Sequence, residues 1–214
     1  MSNTLFWDVD TQIDFMQPGG KLYVPGAEKL APRIEQLTQF AAEHGVPIIA
    51  SACAHVPTDP EFATYPPHCL VGTAGQKKIS GSVLPNHFVI PNRKIELPDN
   101  LAAFAQIILE KQATDVFSNP NTDDVLAALC AKWNCKPESV EIILYGVVTE
   151  ICVELAARGL LQRNYRVSIV GDAIQHLSPE LGRATIEYVQ QHGGCVTTSE
   201  EVMSGFVLPR RRSS

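Results

Sequence analysis

Long apolar runs and an excess of positive charge are both absent from this sequence of 214 residues. It contains 17 Lys and Arg against 23 Asp and Glu, and its formal net charge is −6. Nucleic-acid binding needs a clustered Lys/Arg surface, but the only basic run is residues 210–212. We therefore expect neither a nucleic-acid partner nor a membrane partner. Residues 208–214 are expected to form a flexible tail.

The cysteines lack the spacing of a disulfide framework, and the N-terminus lacks the features of a signal peptide. The six thiols are dispersed, at Cys53, Cys69, Cys130, Cys135, Cys152 and Cys195. Residues 1–4 contain neither a basic nor an apolar region, so a cytoplasmic location is the default expectation. In that compartment most thiols are expected to be buried, with one a candidate for reactivity.

Short apolar runs alternate with segments of helical periodicity. Strands are predicted at residues 5–9, 46–50, 87–90, 140–145, 166–170 and 195–198, with 106–109 a more ambiguous candidate. Helices are predicted at 27–44, 121–132, 149–161, 178–192 and 200–203. This alternation indicates an α/β fold with three layers, α/β/α, around a doubly wound, mostly parallel six-stranded sheet. Residues 1–214 are expected to form a single domain.

The segment at residues 51–80 differs from its surroundings. It contains four prolines and shows no clean periodicity. Loops of this length in a compact domain are usually functional, and ligands of open parallel sheets bind beyond the carboxyl ends of the strands. Functional residues are therefore expected in this loop and directly after strands.

Cys152 lies where a predicted strand turns into a helix. Unpaired N–H groups and the positive end of the helix dipole would stabilise its thiolate there. Both effects would lower its pKa from the usual value of about 8.5. From position alone, a buried thiol packing helix on sheet explains Cys152 equally well.

Acids and a lysine also follow predicted strands. Asp8, Asp10 and Asp14 crowd the end of the first strand, and periodicity does not choose among them. Lys111 follows the run 106–109, where a solvated lysine is the ordinary outcome. In combination, a carboxylate can take a thiol proton, and an ammonium can hold that carboxylate ionised and stabilise developing negative charge.

Four motifs occur in order along the chain. They are Asp10-Thr11-Gln12-Ile13-Asp14-Phe15, Tyr65-Pro66-Pro67-His68-Cys69, Gly72-Thr73-Ala74-Gly75, and residues 146–153 with Thr149 and Cys152. Together they resemble the signature motifs of nicotinamidases and other isochorismatase-like hydrolases. The resemblance extends from residue 5 to about residue 200.

The resemblance implies a cysteine amidohydrolase with Asp10, Lys111 and Cys152 as its catalytic triad. Asp10 would accept the thiol proton, Cys152 would attack an amide carbonyl, and water would hydrolyse the resulting thioester. The family's cis peptide bond is expected at Val148–Thr149, where it helps to aim backbone N–H groups as an oxyanion hole.

The resemblance also assigns substrate-binding and metal-binding residues. Phe15, Tyr65 and Gln12 are expected to contact the substrate. The positions that bind a divalent metal in nicotinamidases are occupied here by Cys53, His55, Glu61 and His68. All four can ligate zinc, which suits two imidazoles and a thiolate better than magnesium does. One zinc ion and no organic cofactor are expected; the alternative is a relative that has lost its metal.

The expected substrate is a small carboxamide such as nicotinamide, and the expected assembly is a homo-oligomer. Isochorismatases hydrolyse a vinyl ether and typically lack the nucleophilic cysteine, so Cys152 favours an amide or ureide. Biuret, maleamate, ureidoacrylate and carbamoylsarcosine-type amides stay open as alternatives. A catalytically silent binding protein with the same fold is a further alternative.

Overall fold

The computed structural model describes residues 3–205, and its centre is a single parallel sheet. Within that range the strands are β1 Asn3–Val9, β2 Ile48–Cys53, β3 His87–Ile90, β4 Gln106–Lys111, β5 Val140–Val147, β6 Arg166–Gln175 and β7 Cys195–Thr197. They lie in the order β3-β4-β2-β1-β5-β6-β7, and every pairing is parallel. The predicted α/β class and parallel sheet are confirmed.

Helices lie between β1 and β2, and between consecutive strands from β4 to β7, and one further helix follows β7. They are α1 Ile13–Met16, α2 Ala31–His44, α3 Thr122–Trp133, α4 Glu154–Gln162, α5 Pro179–Gln191 and α6 Ser199–Gly205. Ser178 is the N-cap of α5, because its hydroxyl accepts the Leu181 N–H at 3.3 Å. No helix among residues 3–205 is long and apolar enough to cross a membrane.

The sheet has seven strands rather than the expected six. The ambiguous run 106–109 is the core of β4, which pairs with β2 on one side and β3 on the other. A short apolar run buried on both faces has no alternating pattern, so periodicity could not separate it from a buried helix. The expected tail at 208–214 lies outside the described residues.

The helix expected from 149 begins differently. Residues 149–153 form a single π-helical turn, and regular α-helix begins only at Glu154. Such turns are rare and occur often at functional sites. The turn carries Cys152, so the local backbone at this cysteine is not that of an ordinary helix N-terminus.

The chain builds the sheet outward from β1 in two directions. β2, β4 and β3 lie on one side of β1, and β5, β6 and β7 lie on the other. In open parallel sheets a crevice forms where the strand order reverses, beyond the carboxyl ends of the strands. Here that place is between the ends of β1 and β5, which are followed by Asp10 and by the π-turn.

Gly146 allows β5 to approach β1 closely beneath this crevice. Its φ is +120°, and a Cβ at this position would lie 2.1 Å from the carbonyl oxygen of Val9. The Val9 carbonyl oxygen belongs to the backbone of β1, so it cannot move aside as a flexible side chain could. Any other residue must therefore push the two central strands apart.

We expect Gly146→Ala to lower the free energy of unfolding by at least about 2 kcal/mol, because it adds backbone strain and overpacking at one position. Urea unfolding would measure the loss. Gly205→Ala is the matched control, since a Cβ at Gly205 meets nothing within 4 Å. Equal stability of the two variants would contradict the packing argument.

Candidate active site

The three residues expected to form a triad meet beyond the carboxyl ends of the central strands. Asp10 follows β1, Lys111 ends β4, and Cys152 lies in the π-turn after β5. The Lys111 Nζ lies 2.9 Å from Asp10 Oδ2 and 3.7 Å from Cys152 Sγ. All three are buried, and Lys111 is fully excluded from solvent. The sheet therefore assembles a carboxylate, an ammonium and a thiol in one dry site.

Asp10 is held in a single orientation. Its backbone has φ 48°, a left-handed conformation that aspartate tolerates better than most residues. Ser51 at the end of β2 donates its hydroxyl to Asp10 Oδ1 at 2.7 Å, while Oδ2 faces Lys111. Lys111 in turn donates to the carbonyl of Ala113 at 3.0 Å. Both charged partners of the pair are thereby fixed.

Burial and charge together set the protonation states. Burial alone would lower the pKa of Lys111, but the Asp10 carboxylate and the neighbouring thiols raise it well above its ordinary value. Burial raises the pKa of the Cys152 thiol well above its ordinary value; Lys111 lowers it, while the negative charge of Asp10 raises it further. Beside Asp10, the resting site thus holds an ammonium at Lys111 and a neutral thiol at Cys152.

This corrects the expectation that the helix terminus lowers the pKa of Cys152. That expectation considered only the local backbone. In the folded chain, loss of solvent and the proximity of Asp10 act in the opposite direction and outweigh the stabilisation by Lys111. Cys152 therefore depends on a base for its deprotonation.

The cis peptide bond lies one residue earlier than expected. It joins Val147 to Val148, rather than Val148 to Thr149. A cis bond before a residue other than proline has no signature in residue type, so only the backbone trace can locate it. The Thr149 hydroxyl is buried in the same turn and has no hydrogen-bond partner among the described residues.

A second cluster lies beside the triad. The ligand atoms of Cys53, His55 and His68 all lie within 4.8 Å of one another, and the three residues are buried. Cys53 is the register partner of Lys111 on β4, and its Sγ lies 3.3 Å from Lys111 Nζ. The thiol at the end of β2 therefore contacts Lys111 of the triad and lies within 4.8 Å of the two imidazoles.

Hydrogen bonds fix the tautomers of both histidines. His55 Nδ1 lies 3.0 Å from Asp59 Oδ2, and His68 Nδ1 lies 2.8 Å from the carbonyl of Pro66. Each Nδ1 must carry the hydrogen, since carboxylate and carbonyl oxygens only accept. In the neutral imidazoles, both Nε2 atoms then present lone pairs to the cluster. His55 Nε2 is buried and has no hydrogen-bond partner among the described residues.

Glu61 faces these same nitrogens. Its Oε1 lies 3.8 Å from His55 Nε2 and 3.7 Å from His68 Nε2. Burial lowers the pKa of His68 below its ordinary value, which favours its neutral form. Two imidazole nitrogens and a thiol thus lie close together, and the Glu61 carboxylate faces the two imidazoles from one side. This donor set fits a zinc ion.

Asp59 orients His55 and Glu61 through hydrogen bonds. Burial would raise the pKa of Asp59, but the Glu61 N–H and the His55 imidazole lower it below its ordinary value. Its Oδ1 accepts the Glu61 N–H at 3.0 Å while Oδ2 accepts from His55. In zinc sites, a ligating histidine commonly donates its other ring N–H to a carboxylate, which fixes the orientation of the ring. The sequence signal was its spacing four residues after His55.

The aromatic residues expected to hold substrate pack on His68. Its ring centroid lies 5.2 Å from that of Phe15 and 6.5 Å from that of Tyr65. Phe62, which sequence reasoning missed, lies 5.3 Å from His55 and 5.8 Å from His68. The rings therefore enclose the two imidazoles.

Gln12 braces the loop and is fully buried. Its amide nitrogen donates to the carbonyls of Cys53 and Gln76, at 2.8 and 2.7 Å, and its Oε1 accepts the Cys53 N–H at 2.6 Å. Both amide N–H groups are therefore used by backbone. Gln12 thereby positions Cys53, and its expected contact with the substrate stays a prediction.

The other two acids of the first motif region have separate partners. Asp14 accepts the N–H groups of Cys69 and Lys21, at 2.6 and 3.1 Å. Asp8 is buried and pairs with Lys78 at 3.2 Å, and Lys78 also donates to the Ser51 carbonyl at 3.2 Å. Sequence reasoning missed this ion pair, because Lys78 lies in the loop without any local signal.

Comparison with known proteins agrees with this architecture. The family model of the isochorismatase domain matches residues 5–201, and the chain therefore belongs to the isochorismatase family. It is 27% identical over 138 residues to a zebrafish (Danio rerio) protein described as isochorismatase domain-containing protein 1. That match covers 64% of this chain and 48% of the zebrafish protein, so this chain spans about half the length of that relative.

Solved structures share the fold. The pyrazinamidase of Pyrococcus horikoshii, crystallised in complex with zinc, superimposes with a TM-score of 0.70 at 24% identity, covering 92% of this chain and 99% of the other. N-carbamoylsarcosine amidase from Thermoplasma acidophilum gives a TM-score of 0.71 at 23% identity, covering 92% and 97%. Nicotinamidase from Bacillus subtilis gives 0.71 at 20% identity, covering 91% and 99%. The fold is therefore that of an isochorismatase-like hydrolase.

We expect Lys78→Met to reduce stability by about 3–5 kcal/mol at neutral pH, because it leaves the Asp8 carboxylate buried without its cation. Urea unfolding at pH 7 would measure the loss, with exposed Lys77→Met as the matched control. Burial already raises the pKa of Asp8. The folded variant would therefore take up a proton more readily than the unfolded chain, and the loss should shrink at about pH 5. An equal loss in both variants would contradict this assignment.

Proposed function

We propose that this protein is a cysteine-dependent amidohydrolase that cleaves a small carboxamide of the nicotinamide type to an acid and ammonia. The observation that carries the proposal is the contact of one buried ammonium, that of Lys111, with both the Asp10 carboxylate and the Cys152 thiol. This arrangement places a base and a nucleophile together at the end of the sheet. Membership of the isochorismatase family and the shared fold with amidases support it.

The proposed reaction begins with proton transfer. Asp10 accepts the proton of the Cys152 thiol as sulfur attacks the amide carbonyl carbon; both groups contact the same Lys111 ammonium. The ammonium of Lys111, 3.7 Å from the sulfur, stabilises the negative charge that develops there. Because the resting thiol is neutral, deprotonation and attack are coupled.

Departure of ammonia completes the first half of the reaction. The tetrahedral intermediate collapses to a thioester, and Asp10 returns its proton to the leaving nitrogen, which departs as ammonia. Water then gives a proton to Asp10 and attacks the thioester carbonyl. Collapse releases the acid, and the proton on Asp10 restores the Cys152 thiol.

Cys53, His55, His68 and Glu61 would hold a zinc ion beside this site. Bound zinc would supply a fixed positive charge that anchors the loop at residues 51–80 and holds Cys53 as a thiolate. Cys53 then keeps its contact with Lys111. The catalytic groups themselves are Asp10, Lys111 and Cys152.

We expect Cys152→Ala to abolish ammonia release while preserving the fold. The assay is a panel of nicotinamide, pyrazinamide, biuret, maleamate, ureidoacrylate and N-carbamoylsarcosine, each with and without added zinc. Cys195→Ala is the control, because that thiol is exposed at the edge strand β7. Near wild-type turnover by well-folded Cys152→Ala would eliminate the covalent mechanism. Failure of the wild-type protein on every amide would favour the silent binding protein.

Asp10→Asn should change turnover and thiol reactivity in opposite directions. Loss of the base should slow hydrolysis by about 10²–10⁴-fold. Loss of its negative charge should lower the pKa of Cys152, because Lys111 then acts on the thiol unopposed. Alkylation of Cys152 by iodoacetamide at neutral pH should therefore be faster than in the wild type, as followed by mass spectrometry of the Cys152 peptide.

Lys111→Met is the matched comparison for this experiment. It removes the positive charge that lowers the pKa of Cys152 and should therefore slow alkylation. Slower labelling in Asp10→Asn than in the wild type would show that Asp10 does not oppose thiolate formation. The role of Asp10 as the base for Cys152 would then fail.

A further inference from the structure

We propose that the buried ion pair of Asp8 and Lys78 positions the base of the reaction, Asp10. The pair holds the Asp10 carboxylate in the orientation in which it faces Lys111. This inference rests on the proposed role of Asp10 as the base and deepens it, because the proposed reaction steps give no part to Asp8 or Lys78. Both act through other residues, so they are positioning residues and not catalytic ones.

Asp10 needs such support because of its backbone conformation. Its φ of 48° lies in the left-handed region, which residues with a side chain adopt only at a cost in free energy. A conformation of this kind persists where the surrounding contacts determine it more than once. The contacts of Asp10 and of the residues next to it in the chain therefore indicate what holds the base in place.

The first set of contacts passes through Ser51 in β2. The Ser51 carbonyl oxygen accepts the Asp10 N–H at 3.3 Å and the Lys78 ammonium at 3.2 Å. The Ser51 hydroxyl donates to Asp10 Oδ1 at 2.7 Å. Ser51 is buried, so water does not compete for these bonds. Lys78 therefore fixes the residue that binds both the backbone and the side chain of Asp10.

The second set of contacts passes through the chain on either side of Asp10. Asp8, two residues earlier, pairs with Lys78 through Oδ2 at 3.2 Å. The same oxygen accepts the hydroxyl of Thr11, the residue directly after Asp10, at 3.0 Å. The Thr11 carbonyl accepts the N–H of Ile79, directly after Lys78, at 2.8 Å. Contacts that originate at two consecutive loop residues thus restrain the chain both before and after the base.

Stability alone does not account for this ion pair. Asp8 is fully buried, and the Lys78 side chain is 3% exposed. The cost of removing two charges from water offsets most of their attraction, and apolar residues of similar volume are often at least as stabilising. An apolar pair would offer no hydrogen-bond partner to the Ser51 carbonyl or to the Thr11 hydroxyl. Those two bonds are what the charged pair adds.

The pair also gives each of two neighbouring carboxylates its own cation. Burial raises the pKa of Asp8, Lys78 lowers it, and the negative charge of Asp10 raises it. Asp8 and Asp10 therefore repel one another. Lys78 lies 3.2 Å from the first carboxylate, and Lys111 lies 2.9 Å from the second. This division leaves the ammonium of Lys111 to the base and the thiols beside it.

The double variant Asp8→Leu/Lys78→Met tests the positioning role without leaving a buried charge unpaired. It removes one positive and one negative charge, so the net charge of the protein is unchanged. We expect its urea unfolding midpoint to stay at or above that of the wild type. The kcat for the amide substrate should nevertheless fall by about 10–10²-fold, because the base is misplaced, with KM little changed. A merely structural ion pair would not separate kcat from stability in this way.

Alkylation of thiols gives a measurement that does not depend on turnover. Burial raises the pKa of Cys152, and the negative charge of Asp10 raises it further. Displacement of that carboxylate in the double variant should therefore speed the labelling of Cys152 by iodoacetamide severalfold. Cys69 is the internal control, because it is buried in the loop that carries Lys78 and should stay slow while the loop is intact. Lys77→Met, at an exposed position, should label as the wild type does.

Two single variants test the contacts through which the ion pair acts. Ser51→Ala removes the hydroxyl bond to Asp10, and Thr11→Val removes the hydroxyl bond to Asp8. Both should lower kcat and speed the labelling of Cys152. Ser51→Ala should add little to the double variant, because residues that share partners have non-additive effects. If the double variant does not fold, these two decide the matter: wild-type kcat and labelling in both would overturn the positioning role.

A stable double variant with wild-type kcat and wild-type labelling of Cys152 would overturn the role directly. Equal acceleration of Cys69 and Cys152 would overturn it too, because it would show a loosened loop and not a displaced base. If the wild-type protein releases ammonia from no amide, the proposed function fails, but the labelling of Cys152 still tests whether the ion pair holds Asp10.

Discussion

The buried ammonium of Lys111 is the charge on which the arrangement of the site depends. A lysine fully removed from water is costly unless negative or polarisable partners surround it. Asp10 lies 2.9 Å away, and the sulfurs of Cys53 and Cys152 lie 3.3 and 3.7 Å away. These three partners come from the ends of β1, β2 and the turn after β5. One cation therefore links the prospective nucleophile, its base and the cluster of Cys53, His55 and His68.

The parallel sheet makes this convergence possible. β4, β2, β1 and β5 are consecutive neighbours, so residues far apart in sequence follow one another along a single edge. Gly146 lets the central strands approach closely, and Gln12, Asp14 and Lys78 fasten the long loop over that edge. Backbone groups of Cys53, Cys69 and Gln76 in the loop bond to the side chains of Gln12 and Asp14, which helps an irregular segment to be buried. The rigidity of the site comes from these contacts as much as from the strands.

Much of this arrangement could be anticipated from residue patterns and family motifs. The alternation of strands and helices indicated the α/β class, and the motifs pointed to the residues that the structure brings together at the sheet edge. Four local details were wrong or incomplete: the strand number, the onset of α4, the position of the cis bond and the direction of the pKa shift at Cys152. Each depends on contacts that a window of neighbouring residues does not contain. The role of β4 depends on pairing with two other strands, and the pKa of Cys152 depends on burial beneath distant segments.

The choice among the three acids near the end of β1 shows where the two kinds of information divide. The sequence by itself determined that a carboxylate and a cysteine follow strands of one parallel sheet, because hydrophobic periodicity and chain order set these element types and strand ends. The strand that ends at Lys111 was established only by its pairing with β2 and β3. Only the tertiary structure decided that Asp8 pairs with Lys78, that Asp14 accepts loop N–H groups, and that Asp10 alone of the three forms an ion pair with Lys111. Periodicity specifies which face of a strand a side chain occupies. Its partners and its access to water are set by segments that return from elsewhere in the chain, and these in turn decide which groups carry charge.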